Sequence, residues 1–188
     1  MNHSVGSISF LLAGIVLFSL AQVTSKEYAT PAGERVVVRS SIKAEATPES
    51  HIEFYGKDKK MLCSLDYASA DGEHGYGVEK AEWTPDGNYF VASLASSGGH
   101  QSWHSPTIAY SRDKKWIIYL DDFTDALGVS SSDFHLETPN WVSTHMLKDR
   151  DIPVRFNLDK LFRKARLAKI AKGVSCTGGK TRKVGSGL

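Results

Sequence analysis

The chain lacks a Walker-type phosphate loop, a dinucleotide-binding fingerprint, a Cys-x-x-Cys pair and a Gly-x-Ser-x-Gly elbow. Each of these signatures places a phosphate, a metal ligand or a nucleophile in a defined local geometry. Their absence removes the usual sequence arguments for a nucleotide-dependent enzyme, a thiol oxidoreductase or an α/β hydrolase. The sequence therefore favours a protein that is not an enzyme.

Long apolar runs are scarce, and the one that exists covers residues 8–20, with no Lys or Arg before it. A membrane-spanning helix needs about 20 such residues, so this run is short for one. Ser19 and Ala21 fit the −3 and −1 positions of a cleavage site. We predict a signal peptide over residues 1–21, with cleavage as late as residue 25 as a variant, and a periplasmic or extracellular protein. An uncleaved anchor and a buried apolar helix are the alternatives.

Cysteine is also rare, with Cys63 and Cys176 as the two copies. In an oxidising compartment an even pair usually forms a disulfide. The chain-entropy model gives such a long loop about 4 kcal/mol of stabilisation. Two free or partner-bound thiols are the alternative.

Charge is unevenly distributed. Residues 159–188 contain nine Lys or Arg and one Asp, a balance of +8, so the rest of the chain carries −6 of the overall +2. One interpretation is a solvated helix face and a flexible end. The other is docking to an acidic partner or an anionic membrane surface. Export argues against a nucleic-acid partner.

Three segments share an aromatic residue, a turn centred on Asp and a following apolar strand. They start 28 and then 27 residues apart. Asp caps such a turn, and the next residue favours left-handed dihedrals, which suits Gly87 better than Lys59 or Lys114. We predict three successive β-hairpins in an antiparallel meander, over residues 55–63, 83–91 and 110–118.

The remaining pattern completes a mainly β fold, a partial propeller-like or sandwich sheet with a C-terminal amphipathic helix. Further strands are predicted over residues 35–39 and 141–146, with a long irregular loop over 121–140 between the hairpins and the last strand. Asn157 is a helix N-cap candidate, followed by apolar residues at helical spacing. The predicted divisions are a β domain over 26–156, a basic helix over 157–173 and a flexible tail over 174–188.

The second hairpin, AEWTPDGNYFV over residues 81–91, resembles the hairpin of TolB-type (WD40-like) β-propeller blades. The third hairpin looks like a degenerate copy. A blade takes about 40 residues and four blades are the usual minimum, whereas these hairpins recur more closely. The resemblance therefore implies a rigid β scaffold used for protein contacts, and it implies neither a closed ring nor a catalytic residue.

A Gly-rich segment, GGHQSWHSP over residues 98–106, contains the densest group of functional residue types. Two His four residues apart can share a Zn²⁺ ion, although the flanking Gly and Pro argue against a helix there. No cofactor is predicted otherwise. A Ser-His-Asp set can be assembled from these loops only on paper, because such triads are recognised by geometry. The candidates for a third zinc ligand are His74, His135, Asp121 and Asp122.

An exposed Trp in a loop is a good interface anchor, because a rigid ring buries much area at low entropy cost. We predict a binding surface with Trp103, His100 and His104 at its centre and with Tyr76, Asp121 and Asp122 at its rim. The predicted function is that of an exported binding protein for a protein partner, such as a periplasmic inhibitor or immunity-type protein. The alternatives are a zinc enzyme or metal-binding protein using His100 and His104, and an envelope structural protein held by its basic helix.

Overall fold

The structure is a computed structural model that describes residues 22–42, 48–98, 106–123, 129–138, 140–146, 153–167 and 173–184. The predicted signal peptide lies outside these residues. One α-helix, α1 (Leu158–Leu167), and a short 3₁₀ helix (Leu120–Phe123) accompany the strands. The strands are β1 (Gln22–Ala29), β2 (Arg35–Ile42), β3 (Glu49–Tyr55), β4 (Met61–Asp66), β5 (Tyr76–Trp83), β6 (Tyr89–Ser96), β7 (Thr107–Ser111), β8 (Trp116–Tyr119), β9 (Val129–Thr138), β10 (Trp141–Met146), β11 (Pro153–Asn157), β12 (Val174–Ser175) and β13 (Lys180–Lys183).

The strands form three sheets that stack as layers. The outer sheet has the order β1-β2-β3-β4-β13, the central sheet β12-β8-β7-β6-β5, and the third sheet β11-β10-β9. β13 runs parallel to β4, and the other neighbouring pairs are antiparallel. This confirms the predicted mainly β fold of antiparallel hairpins with a C-terminal helix.

The central sheet has two apolar faces because successive side chains of a strand point to opposite sides. Phe90 and Leu94 of β6 pack with the outer sheet, whereas Val91 belongs to a second core. That second core contains residues of the third sheet and the buried face of α1. The layering explains why β6 and β7 are buried almost along their whole length.

The three predicted hairpins are present, but they are divided between two sheets. The first joins β3 to β4 in the outer sheet, and the other two join β5 to β6 and β7 to β8 in the central sheet. Lys59 and Gly87 have the expected left-handed dihedrals, with φ of 61° and 66°. In the third turn the left-handed residue is Lys115 at φ 50°, one position later than the predicted Lys114.

Helix α1 begins where the sequence predicted. The side-chain oxygen of Asn157 accepts a hydrogen bond from the backbone N–H of Lys160 at 2.9 Å, which confirms the N-cap. Leu158, Phe162 and Ala165 are buried against the second core, and the Phe162 ring stacks on Tyr89 at 5.4 Å between centroids. In the part of the chain that the structure describes, no helix has both the length and the apolar character needed to cross a membrane.

The C-terminal segment connects the outer and central sheets. β12 pairs with β8 of the central sheet, and β13 pairs with β4 of the outer sheet. Between them Cys176 forms the predicted disulfide with Cys63 of β4, and both cysteines are buried. Such a buried disulfide is compatible with an oxidising compartment.

Two predictions about irregular regions were wrong. Residues 129–138 form strand β9, where a long irregular loop was expected. They pair with β10, and the sequence pattern did not indicate which segment would pair with that strand. Residues 180–183 form β13, where a flexible tail was expected. All four of its residues are exposed, so backbone pairing with β4 rather than apolar burial holds this strand. β1 also begins at Gln22, ahead of the predicted start of the β domain.

Candidate functional site

Several connections between strands meet at one end of the stacked sheets. This end of the sheets contains the end of β4, the start of β5, the end of β6, the start of β7 and the end of β8. The Ser97 N–H donates to the Gly75 carbonyl at 2.9 Å, which joins two of these connections. We call this region the loop end, consisting of residues 67–75, 97–98, 106 and 120–123. His100, Trp103 and His104 lie outside the described residues, so their predicted role stays a prediction.

A buried carboxylate holds the connection between β4 and β5. Glu49, at the start of β3, is only 6% exposed. It accepts hydrogen bonds from the Ser69 N–H at 2.9 Å and the Gly75 N–H at 2.8 Å. The hydroxyls of Ser69 and Ser97 donate to it at 2.5 and 2.9 Å. Glu49 therefore joins both ends of the loop 69–75 to the sheet.

The charge of Glu49 is maintained by these donors. Burial by itself raises the pKa of a carboxyl group, because it disfavours the charged form. The hydrogen bonds from Ser69, Ser97 and Gly75 together outweigh burial and lower the pKa of Glu49 below its ordinary value. The loop is thus anchored by an ionised side chain near neutral pH.

Gly75 fits against this anchor because it has no side chain. A Cβ at this position would lie 2.3 Å from the Tyr67 carbonyl oxygen and 2.4 Å from the nearer Glu49 oxygen. Both distances are well inside van der Waals contact. The glycine is therefore required by packing at this position.

The loop presents an exposed Asp–His pair. Nδ1 of His74 lies 2.6 Å from a carboxylate oxygen of Asp71, and both side chains are more than half exposed. The N–H of Glu73, then the Ser69 hydroxyl and the His74 ring, hold the pKa of Asp71 well below its usual range. A histidine side chain can donate or accept hydrogen bonds through its ring nitrogens.

A concavity of about 350 Å³ adjoins this pair. Its walls are residues 67–71, His74 and Gly75, together with Lys183 at the end of β13 and the adjoining Val184. Lys183 reaches this position because β13 pairs in register with β4, opposite Asp66. The concavity therefore combines an imidazole, a carboxylate and an ammonium group from segments more than 100 residues apart.

The predicted rim residues occupy different environments. Tyr76 is only 3% exposed and packs edge-on against Tyr67, so it supports the loop end from within. Burial, and then the nearby charge of Asp121, raise the pKa of Tyr76. Asp121 and Asp122 lie in the 3₁₀ helix, with Asp122 exposed. The structure thus brings Tyr76 and Asp121 together.

Among the described residues, no group of three or more His, Cys, Asp or Glu side chains is placed to hold a metal ion. The predicted zinc ligands His100 and His104 are outside the described ranges, and that alternative stays a prediction.

Sequence reasoning missed Glu49, Ser69 and Lys183 as parts of this site. Asp71 and His74 had a signal, since they are spaced i, i+3 in a Gly-rich segment. Glu49 and Lys183 had none, because their partners are distant in sequence. No family model, curated protein or solved structure matches the chain.

Proposed function

We propose that this chain is an exported, non-enzymatic binding protein that recognises a protein partner through its loop end. The observation that carries the proposal is the loop 69–75, which a buried carboxylate holds rigidly while Asp71 and His74 remain exposed beside Lys183. A loop fixed before binding loses less entropy when it meets its partner. An inhibitor or immunity-type protein is the concrete form that we favour.

The hydrogen bonds of Ser69 support binding over hydrolysis. The loop contains the three residue types of a catalytic triad in Ser69, Asp71 and His74. Such a triad requires a hydrogen bond between the serine hydroxyl and the imidazole. Here the Ser69 hydroxyl donates to Glu49 and lies 2.9 Å from an Asp71 oxygen. It also accepts from the Gly72 N–H at 2.8 Å. These contacts suit a structural residue that organises the loop.

In this proposal Trp103, His100 and His104 form the centre of the contact surface, as their sequence suggests. They belong to the connection between β6 and β7, whose flanking residues Gly98 and Pro106 are at the loop end. Asp122 extends the surface on the side of the 3₁₀ helix.

We expect the double variant His74→Ala/Lys183→Ala to lose partner binding by roughly tenfold or more, because it removes the imidazole and the ammonium group that line the concavity. The measurement is recovery of partner from native envelope extract, followed by the dissociation constant for the purified partner. The matched control is Lys57→Ala/Asp58→Ala, at the turn on the opposite end of the outer sheet. Equal loss in both variants, or turnover of a substrate with no partner recovered, would contradict the proposal.

Export is part of the same proposal and makes a separate prediction. We expect the protein exported from its native cells to begin at Gln22, because cleavage after Ala21 leaves strand β1 complete. Cleavage after Ser25 would remove residues 22–25, which pair with residues 39–42 of β2. Intact mass measurement of the exported protein distinguishes these outcomes. A mass that includes residues 1–21 would overturn the export proposal. A mass that corresponds to a chain beginning at Lys26 would overturn only the predicted cleavage after Ala21.

A further inference from the structure

The basic residues near the C-terminus form two separate surfaces. Strand β13 belongs to the outer sheet, whereas α1 packs on the second core at the other face of the central sheet. The predicted basic segment is therefore divided between opposite layers. A flat partner contacts one of these surfaces at a time.

Among the described residues outside α1, seven of the fourteen Lys and Arg side chains lie within 4.0 Å of a carboxylate. The paired residues are Arg35, Arg39, Lys57, Lys60, Lys80, Arg112 and Arg155.

In helix α1 the share of cations without such a carboxylate is larger. Within the described residues, no carboxylate forms an ion pair with its four cations. The one acidic residue of the helix, Asp159, instead accepts hydrogen bonds from Tyr89 and, at 2.7 Å, from the Asn140 side chain. The exposed face of α1 carries Lys160, Arg163, Lys164 and Arg166, and its net charge stays positive although Asp159 interacts electrostatically with Arg163.

An exposed apolar side chain lies among these cations. Leu167 at the end of α1 is 76% exposed, and it lines a shallow concavity together with Lys160, Arg163 and Lys164. The ammonium group of Lys164 lies 6.0 Å from the centre of the Phe123 ring. The apolar face of α1 is occupied by the protein core, so the feature that suits an anionic lipid surface is the cluster of exposed cations around one exposed leucine. A soluble acidic protein would use the cations but would not require Leu167.

The helix is also fixed in place before any contact. Phe162 and Ala165 hold its opposite face in the second core. Binding through the exposed face therefore needs no refolding of α1.

We propose that the exposed face of α1 docks on an anionic lipid surface, with its cations at the phosphate groups and Leu167 at the acyl boundary. This interaction is separate from the loop end and does not depend on the function proposed for it. Lys and Arg side chains near such a surface are attracted to it, and the attraction weakens with salt.

The test is co-sedimentation of the whole mature chain with vesicles of phosphatidylcholine, with and without phosphatidylglycerol. We expect binding only to the anionic vesicles and release by added salt. Arg163→Glu/Lys164→Glu should weaken vesicle binding by roughly thirtyfold or more. The matched control Lys57→Glu/Lys60→Glu makes the same change of net charge on the opposite end of the outer sheet and should retain most of the affinity.

A second variant separates a lipid surface from a soluble polyanion. Leu167→Ser should weaken vesicle binding by roughly tenfold, because it removes an apolar side chain from the acyl boundary. The same variant should leave binding to a heparin fragment unchanged. Equal effects of the two charge-reversal pairs, or full vesicle affinity in Leu167→Ser, would overturn the proposal. We expect each variant to fold, because all the substituted side chains are exposed. Melting curves check this.

Discussion

Replacing Cys63 and Cys176 together by Ala is expected to lower the free energy of unfolding by about 4 to 5 kcal/mol. The disulfide joins residues 113 positions apart, so its loss restores a large amount of freedom to the unfolded chain. For a domain of this size the corresponding fall in Tm is roughly 10 to 15 °C. Differential scanning calorimetry of both proteins measures it.

The reduced wild-type protein is the control for this prediction, because it breaks the bond without removing a sulfur atom. It should show a comparable fall in Tm. The reduced protein should also lose partner binding, because Lys183 reaches the loop end only while β13 pairs with β4. Equal melting temperatures with and without reductant would contradict the expected contribution of the disulfide.

Replacing Glu49 by Ala is expected to cost about 3 to 5 kcal/mol, because it leaves buried hydrogen-bond donors without an acceptor. The N–H groups of Ser69 and Gly75 and the hydroxyls of Ser69 and Ser97 all donate to this one carboxylate. Glu49→Gln should cost less, since its carbonyl oxygen still accepts. Urea unfolding measures both changes.

The matched control is Glu27→Ala on β1, whose carboxylate forms an exposed ion pair with Arg35 at 3.4 Å. Exposed pairs contribute about 0 to 1 kcal/mol, so this variant should unfold almost like wild type. If Glu49→Ala is no more destabilised than Glu27→Ala, the loop 69–75 does not depend on its buried anchor.

The effect of Glu49 should also depend on pH in a defined direction. Its pKa in the folded protein is below the ordinary 4.5, so its contribution to stability is fully present above about pH 4.5. That contribution is lost as the pH falls from 4.5 through the folded-state pKa. The stability difference between wild type and Glu49→Gln should therefore shrink between pH 6 and pH 3. A difference that grows on acidification would show the opposite sign of the shift.

Much of the scaffold could be predicted from local patterns. Aspartate-centred turns between apolar strands specify hairpins because the turn chemistry and the strand alternation involve neighbouring residues. Asn157 predicted the start of α1 for the same reason, and the paired cysteines predicted the disulfide. The candidate site was harder to predict, because Glu49 contacts Ser69 and Gly75 only after two sheets have stacked.

The sequence by itself determined which segments turn and where the helix begins, because both depend on residue type and short spacing. It also indicated the disulfide, because the chain contains two cysteines although they lie 113 positions apart. Only the tertiary structure decided that the hairpins belong to two sheets and that residues 129–138 and 180–183 pair as strands. It also decided that Asp71, His74 and Lys183 share one concavity. Strand pairing between distant segments depends on the backbone edges that other strands leave open, and no local pattern records that.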